Sequence, residues 1–103
     1  MRSKIHSYLG FARKSGNLAT GYDTCLQLMK KKKIKLMIIT EDASSSTKQK
    51  FQNLAEAQNL PFYIYGTAEE LAQATGLDNR NIYGILEKNF AEAIAKEIQI
   101  MRE

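Results

Sequence analysis

The sequence predicts an α/β protein, a three-layer sandwich with helices on both faces of a small sheet. Helical and extended hydrophobic patterns alternate along the chain in the order α-β-α-β-α-β-α-β-α, with short connections between them. The 103 residues are enough to bury one core, and a composition of 44% apolar and 25% charged residues is typical of a globular protein. We therefore expect a single domain over residues 1–103.

The first half of the chain contains two predicted helices and two predicted strands. Residues 3–14 carry apolar side chains at helical spacing up to a Ser-Gly-Asn turn, and a short extended stretch follows at residues 18–20. The second helix begins next, and we expect Thr20 to cap it, with Asp23 completing a shortened capping box. Residues 34–40 are apolar and β-branched, which predicts a strand buried on both faces.

The second half adds three predicted helices and two predicted strands. The signals are helix caps, a proline that a strand tolerates at its start, and apolar residues at spacings of three and four. The predicted elements are a helix capped by Asp42 or Ser44, a strand at residues 62–65 after Pro61, a short helix from the Thr67–Glu70 capping box to Gly76, a strand at residues 82–86, and a last helix with Phe90, Ile94, Ile98 and Met101 on one face.

Positive charge is concentrated in the N-terminal third. Residues 1–35 hold nine Lys or Arg against one acid, Asp23, whereas residues 36–103 hold six against ten. Such an asymmetry points to a polyanionic partner, most commonly nucleic acid. A well-solvated lysine surface is the alternative that composition alone leaves open.

The chain offers few groups for catalysis or metal binding. Cys25 lies with Tyr22 on the apolar face of the second helix, so we expect it to pack in the core, and we expect His6 at the surface. Zinc needs about four ligands, and these two are the only Cys and His. The glycine spacing of residues 16–21 resembles a phosphate-binding loop, but Tyr22 and Asp23 replace the required Lys-Ser/Thr. We predict no enzyme activity, cofactor or metal.

Location also follows from simple patterns. The longest wholly apolar run, residues 36–39, is too short to cross a membrane. The first ten residues contain Arg2, Lys4 and His6 without an apolar segment, so we expect no secretion signal. A single cysteine suits a reducing compartment. We therefore expect a cytoplasmic protein that does not associate with membranes.

The start of the second helix is the strongest candidate for a binding site. Its first N–H groups lack partners within the helix and lie at the positive end of its dipole, which suits an anion. Gly21 has no Cβ, so another backbone can approach closely. One polar face of the helix holds Asp23, Thr24, Gln27, Lys30 and Lys31, and we expect Arg13 and Lys14 to flank the same end. An amphipathic helix whose lysines complement its C-terminal dipole explains the same pattern without a ligand.

Several segments, taken in order, resemble one family. They are Arg13-Lys14-Ser15-Gly16, Gly21, the run from Ile34 to Ser44, Leu60-Pro61-Phe62, and Gly66-Thr67 followed by Glu69-Glu70-Leu71, Ala74 and Gly76. Over nearly the whole chain they resemble the kink-turn-binding ribosomal protein family of the L7Ae type, and within it the small bacterial YlxQ branch.

The resemblance implies both a fold and a function. The fold is an α/β/α sandwich with a mixed four-stranded sheet. The function is binding of kinked RNA with tandem sheared G·A pairs, through the start of the second helix and a loop before the last strand that closes over an extruded base. The matching positions are Gly21, Asp23, Thr24 and Gln27, and the loop residues Gly76, Leu77, Asp78 and Arg80. Where the family typically has Asn, Glu and Lys after the glycine, this chain has Asp23, Thr24 and Gln27.

We therefore predict an RNA-binding protein. Its expected partner is ribosomal or other structured RNA, with the ribosome as a further partner, and we expect it to act as a monomer. The lysines at Lys30 and Lys31 are expected to contact phosphates, because each Lys or Arg that neutralises a phosphate releases counterions. The alternative is a protein–protein adaptor on the same fold whose RNA face has decayed, and the basic excess of residues 1–35 argues against it.

Overall fold

The computed structural model describes residues 3–102, and within them helices and strands alternate as the sequence predicts. Residues 1, 2 and 103 are outside the described residues, so the ends of the predicted domain and the charge that Arg2 adds to residues 1–35 are not described. The elements are α1 (Lys4–Lys14), β1 (Leu18–Thr20), α2 (Tyr22–Lys30), β2 (Leu36–Ile39), α3 (Ser45–Ala57), β3 (Phe62–Ile64), α4 (Ala68–Thr75), β4 (Ile82–Ile85) and α5 (Lys88–Met101).

The four strands form one mixed sheet in the order β1-β4-β2-β3. Strand β4 is antiparallel to both β1 and β2, and β3 is parallel to β2. In this register Tyr83 of β4 lies opposite Thr20 on one side and Ile38 on the other. Strands β1, β2 and β3 therefore all run in the same direction and end at the same edge of the sheet.

Helices cover both faces of the sheet, which confirms the predicted α/β/α sandwich. Helices α1, α4 and α5 pack on one face, where Leu36 and Ile38 of β2 point. Helices α2 and α3 pack on the other, against Met37 and Ile39. Because all four side chains are fully buried, β2 is the central strand that its unbroken apolar sequence predicts.

The starts of the helices are partly as predicted. The Ser44 hydroxyl accepts a hydrogen bond from the Thr47 N–H at 3.1 Å and begins α3, whereas Asp42 does not cap it. Thr67 and Glu70 form the expected capping box of α4. The prediction that Thr20 caps α2 is wrong, because Thr20 belongs to β1 and the N-cap is Gly21, which has no side chain to accept a bond.

Two aromatic or apolar side chains expected in the core are exposed. Tyr22 is 40% exposed, because it lies in the first turn of α2, beyond the end of β1, where Phe51 covers only one side of its ring. Met101 is 61% exposed at the last turn of α5. The inward positions Ile94 and Ile98 are fully buried, as their spacing predicts.

Candidate nucleic-acid interface

Three helices begin at one edge of the sheet. Because β1, β2 and β3 end at the same edge, the N-termini of α2, α3 and α4 all lie there. Each helix start presents N–H groups and a partial positive charge. In α/β sheets the loops outside the carboxyl ends of strands are the usual place for a ligand. This edge is therefore a candidate site for a ligand.

A cleft of about 420 Å³ opens at this edge. It brings together the start of α2, the segment between β2 and α3, and the end of the loop that leads into β4. The Gly21 N–H donates to the Ile82 carbonyl at 3.1 Å, which holds the start of α2 beside the start of β4. The lining residues are Gly21, Tyr22, Asp42, Ala43, Ser44, Thr47, Asn79, Arg80, Asn81 and Ile82.

Gly21 adopts a backbone conformation that residues with a Cβ rarely adopt. Its φ is 97° and its ψ is 157°, a region occupied almost only by glycine. A Cβ added at this position would meet no atom within 4 Å, so the glycine is required by its dihedral angles and not by crowding. The structure thus supports the view of Gly21 as a turn glycine that also leaves open space at the mouth of the cleft.

The loop between α4 and β4 is fixed by a polar network under the cleft. Asn81 Nδ2 donates to Thr40 Oγ1 at 2.6 Å, and the Ala68 N–H donates to Asp42 Oδ1 at 3.1 Å. The Thr40 hydroxyl holds the pKa of Asp42 below its usual range against partial desolvation, and the Ala68 N–H acts in the same direction. Asp42 therefore stays ionised and ties the start of α4 to the loop that carries Arg80.

Sequence reasoning did not assign the contribution of α3 to this cleft. Tyr22 packs edge-on against Phe51, with ring centroids 5.2 Å apart, and Lys50 Nζ lies 5.8 Å from the centroid of the Tyr22 ring. Ser44 and Thr47 line the opposite wall. The sequence feature that could have indicated these residues is the Ser44 helix cap shortly after β2, because the ends of parallel strands meet at one edge of a sheet.

Residues predicted on α2 fall into two separate groups. Asp23, Thr24 and Gln27 are exposed along α2, as the polar face of the helix predicts, and none of the three lines the cleft. Lys30 and Lys31 lie at the other end of α2, about 12 Å further along its axis at 1.5 Å per residue. The structure therefore does not bring these two lysines to the cleft.

The predicted residues before α2 also lie outside the cleft. Arg13 Nη1 donates to the Thr75 carbonyl at 2.9 Å, so Arg13 caps the C-terminus of α4 instead of flanking the start of α2. Lys14 lines a shallow depression between α1 and α4, together with Phe11 and Ala74.

The predicted loop residues occupy different positions along the connection to β4. Gly76 ends α4 in the left-handed conformation with φ of 78°, and the Leu77 N–H donates to Thr75 Oγ1 at 3.3 Å. Asp78 is exposed beside Asp42 and Glu69, in a depression next to the cleft. Only the last of them, Arg80, lines the cleft itself.

Cys25 packs in the core, as predicted. It is fully buried between α2 and the sheet, and burial raises the pKa of its thiol to about 12. A thiol with this pKa is protonated at neutral pH and is a poor nucleophile. His6 is partly exposed on α1, and no helix of residues 3–102 is long and apolar enough to cross a bilayer.

Comparison with known proteins identifies the family. The profile of the ribosomal protein L7Ae/L30e/S12e/Gadd45 family matches residues 3–95. The chain belongs to this family. The resemblance seen in the sequence is thereby confirmed over almost the entire L7Ae-family chain.

Individual relatives agree with this assignment. An RNA-binding protein YlxQ from Enterococcus faecium is 26% identical over 98 residues, which is 95% of this chain and 94% of the relative. A solved protein of unknown function from Bacillus halodurans superposes with a TM-score of 0.92 at 26% identity, over 95% of this chain and 99% of that one. The Giardia lamblia 15.5kD RNA binding protein shares the fold, with a TM-score of 0.80 at 14% identity over 98% and 92% of the two chains.

Proposed function

We propose that this L7Ae-family protein binds structured RNA at the edge of the sheet where α2, α3 and α4 begin. One observation carries the proposal: the start of α2 at Gly21 and the loop end at Arg80, 59 residues apart in the sequence, line the same cleft. The relative from Enterococcus faecium is named as an RNA-binding protein, which supports the same partner.

The chemistry of the edge suits a kinked RNA. Asp23, Thr24 and Gln27 present hydrogen-bonding groups of the kind that read base edges. Arg80, which lines the cleft, supplies a cation that suits a phosphate. A kinked RNA presents unstacked bases and converging backbones together, which suits a cleft that combines polar lining residues with the cation of Arg80.

Asp23 adjusts the selectivity of this site. As an acceptor it can take a hydrogen bond from a base amino group, but it repels a phosphate. The start of α2 therefore contacts base edges, and the phosphates lie toward Arg80 and Lys50. We further propose that the protein is a cytoplasmic monomer of one domain that acts on ribosomal or other structured RNA, including RNA in the ribosome.

A binding titration tests the proposal. Fluorescence anisotropy would compare a kink-turn RNA with tandem G·A pairs and a fully paired duplex of equal length, each at two salt concentrations. We expect tighter binding to the kinked RNA and an affinity for both that falls steeply with salt, because phosphate contacts release counterions.

Variants locate the site within the same assay. Arg80→Gln removes one cation from the cleft and is expected to weaken kink-turn binding about tenfold, or 1.4 kcal/mol. Lys96→Gln removes an exposed charge of the same sign from α5 and serves as the matched control. Equal affinity of the two variants would place the RNA elsewhere, and a flat salt response would favour the protein–protein adaptor.

A further inference from the structure

We infer that the opposite edge of the sheet carries a second RNA surface, formed by Lys30, Lys31, Lys32, Lys33 and Lys35, which takes the phosphate backbone of a duplex stem. This inference deepens the proposed function and rests on it. We call these five residues the lysine cluster. The Lys35 N–H donates to the Ile85 carbonyl at 2.7 Å, whereas the Gly21 N–H donates to Ile82. The lysine cluster and the cleft therefore lie at the two ends of β4.

The lysine cluster is a concentrated charge whose members form no ion pair within residues 3–102. All five side chains are exposed, and the sequence has no acid between Asp23 and Glu41. Ion pairs within residues 3–102 involve Lys4 and Lys88 but no member of the cluster. Five like charges that are not held in ion pairs repel one another, and the phosphates of a polyanion relieve that repulsion.

Within the cluster, a lysine occupies a backbone position at which glycine would be more stable. After α2 the Lys32 N–H donates to Met29 and the Lys33 N–H to Leu28, both at 2.9 Å, which is a Schellman motif. Lys32 holds its left-handed position, with φ of 57°. A residue with a Cβ is strained there, and glycine is not.

The same motif ends two other helices and provides an internal comparison. At the end of α1 the left-handed position is occupied by Gly16, with φ of 76°, and at the end of α3 by Asn59, with φ of 55°. Glycine and asparagine are the residues that favour this conformation. Lysine at the equivalent position of α2 therefore departs from the pattern of its own chain, and its charge is the property that glycine and asparagine lack.

The ends of α2 and α3 fix the shape of this surface. Gln58 Nε2 donates to the Met29 carbonyl at 2.8 Å and so joins the two helix ends. Between them lies a depression of about 500 Å³, lined by Lys32 and Lys35 and by the α3 terminus from Ala57 to Pro61. Lys32 and Lys35 thus line one depression, and Lys31, directly before Lys32 in the sequence, is exposed.

The ligand chemistry favours a duplex over an acidic protein. Protein interfaces have an apolar or aromatic centre from which charged residues are depleted. Every exposed large apolar side chain of residues 3–102 lies on α1, on the first turn of α2 or at the end of α5, and none borders the lysine cluster. Phosphate backbones require only charge density and are contacted without regard to sequence.

The competing structural explanation assigns the lysines to the partial negative charge at the C-terminus of α2. The two explanations differ in what happens when Lys32 is replaced by glycine. A purely structural lysine would leave RNA affinity unchanged. An RNA-binding lysine predicts opposite changes, a more stable fold and weaker RNA binding.

The experiment uses the full chain and two RNAs, the kink-turn RNA and the fully paired duplex. For Lys32→Gly we expect Tm to rise by about 4 °C or more, since the strain is relieved, while affinity for both RNAs falls about threefold. For the double variant Lys31→Gln with Lys33→Gln we expect an equal loss of about tenfold for both RNAs, and a slope of log Kd against log salt reduced by about 2. The double variant Lys4→Gln with Lys96→Gln makes the same change in net charge elsewhere and should leave both affinities within about twofold.

The outcomes separate this inference from the proposed function. If neither RNA binds the unaltered protein, the proposed function fails. If Arg80→Gln weakens kink-turn binding but the lysine variants match their control, only the lysine cluster is rejected, and an acidic protein partner or a solvated surface takes its place. Arg80→Gln and the lysine variants are also combined in one protein. If their losses of binding free energy add, the two sites are independent contacts, because they share no partner. Losses that do not add reject the separation of the two sites.

Discussion

Replacing Gly21 by alanine tests both the turn and the cleft. The φ of 97° and ψ of 157° at this position belong to a region that costs a residue with a Cβ about 1–3 kcal/mol. No atom lies within 4 Å of the added Cβ, so crowding adds nothing and the cost is conformational. For a chain of 103 residues a loss of about 2 kcal/mol corresponds to a fall in Tm of about 10 °C.

The effect on RNA is separate from the effect on folding. The new methyl group projects into open space at the mouth of the cleft, where the proposed RNA approaches. We therefore expect affinity for the kink-turn RNA to fall at least tenfold, or 1.4 kcal/mol, at a temperature where the variant is still folded. Thermal unfolding followed by circular dichroism and an anisotropy titration on the same sample give the two numbers.

Gly16→Ala is the matched control. Gly16 also has a positive φ, 76°, and its added Cβ also meets no atom within 4 Å, but it lies in the turn between α1 and β1, outside the cleft. We expect it to lose stability without losing RNA affinity. A Gly21→Ala variant that binds RNA as tightly as Gly16→Ala would refute the placement of RNA against the start of α2, and an unchanged Tm would refute the strain argument.

Two further predictions concern buried and titrating groups. Burial raises the pKa of Cys25 to about 12, so we expect its thiol to be alkylated at pH 8 only at the rate at which the protein unfolds. Rapid alkylation of the folded protein would contradict this. Cys25→Ser should lower stability by an amount on the order of 1 kcal/mol and leave RNA affinity unchanged. The pKa of Asp42 is lowered in the folded state, so its contribution is complete above the unfolded pKa of about 3.9 and is lost as the pH falls through the lower folded value. The Tm difference between the protein and Asp42→Asn should be constant above pH 5 and shrink below about pH 4, and a difference that grows in acid would show that the sign is wrong.

The sequence predicts the elements better than it predicts the contacts between them. An unbroken apolar run identifies β2, and the capping box of Thr67 and Glu70 identifies the start of α4, because both signals are local. The pairing of Asn81 with Thr40 joins residues 41 positions apart, and no local pattern encodes it. The positive φ of Gly21 could not be predicted from the sequence either, because glycine adopts both signs of φ and its presence alone does not tell which one occurs.

The same distinction applies to the candidate site. A helical projection places Lys30 and Gln27 on one face of α2, and this is correct as an angle. The projection omits distance along the helix axis, so it groups Lys30 with residues near the start of α2, although Lys30 lies at the opposite end of the helix. Arg13 was misplaced for a related reason, because the partner it binds, the Thr75 carbonyl, lies on an element 62 residues away.

The strand order has a consequence for folding during synthesis. Within residues 3–102, strand β1 pairs only with β4, and β4 begins at Ile82, 62 residues after β1 ends at Thr20. At about 5–20 residues per second the ribosome needs roughly 3–12 s to cover that interval. Throughout it β1 has no strand to bond with, while β2 and β3 already have each other. Completion of β4 is therefore the step that gives β1 its strand partner and fixes Gly21 and Arg80 side by side.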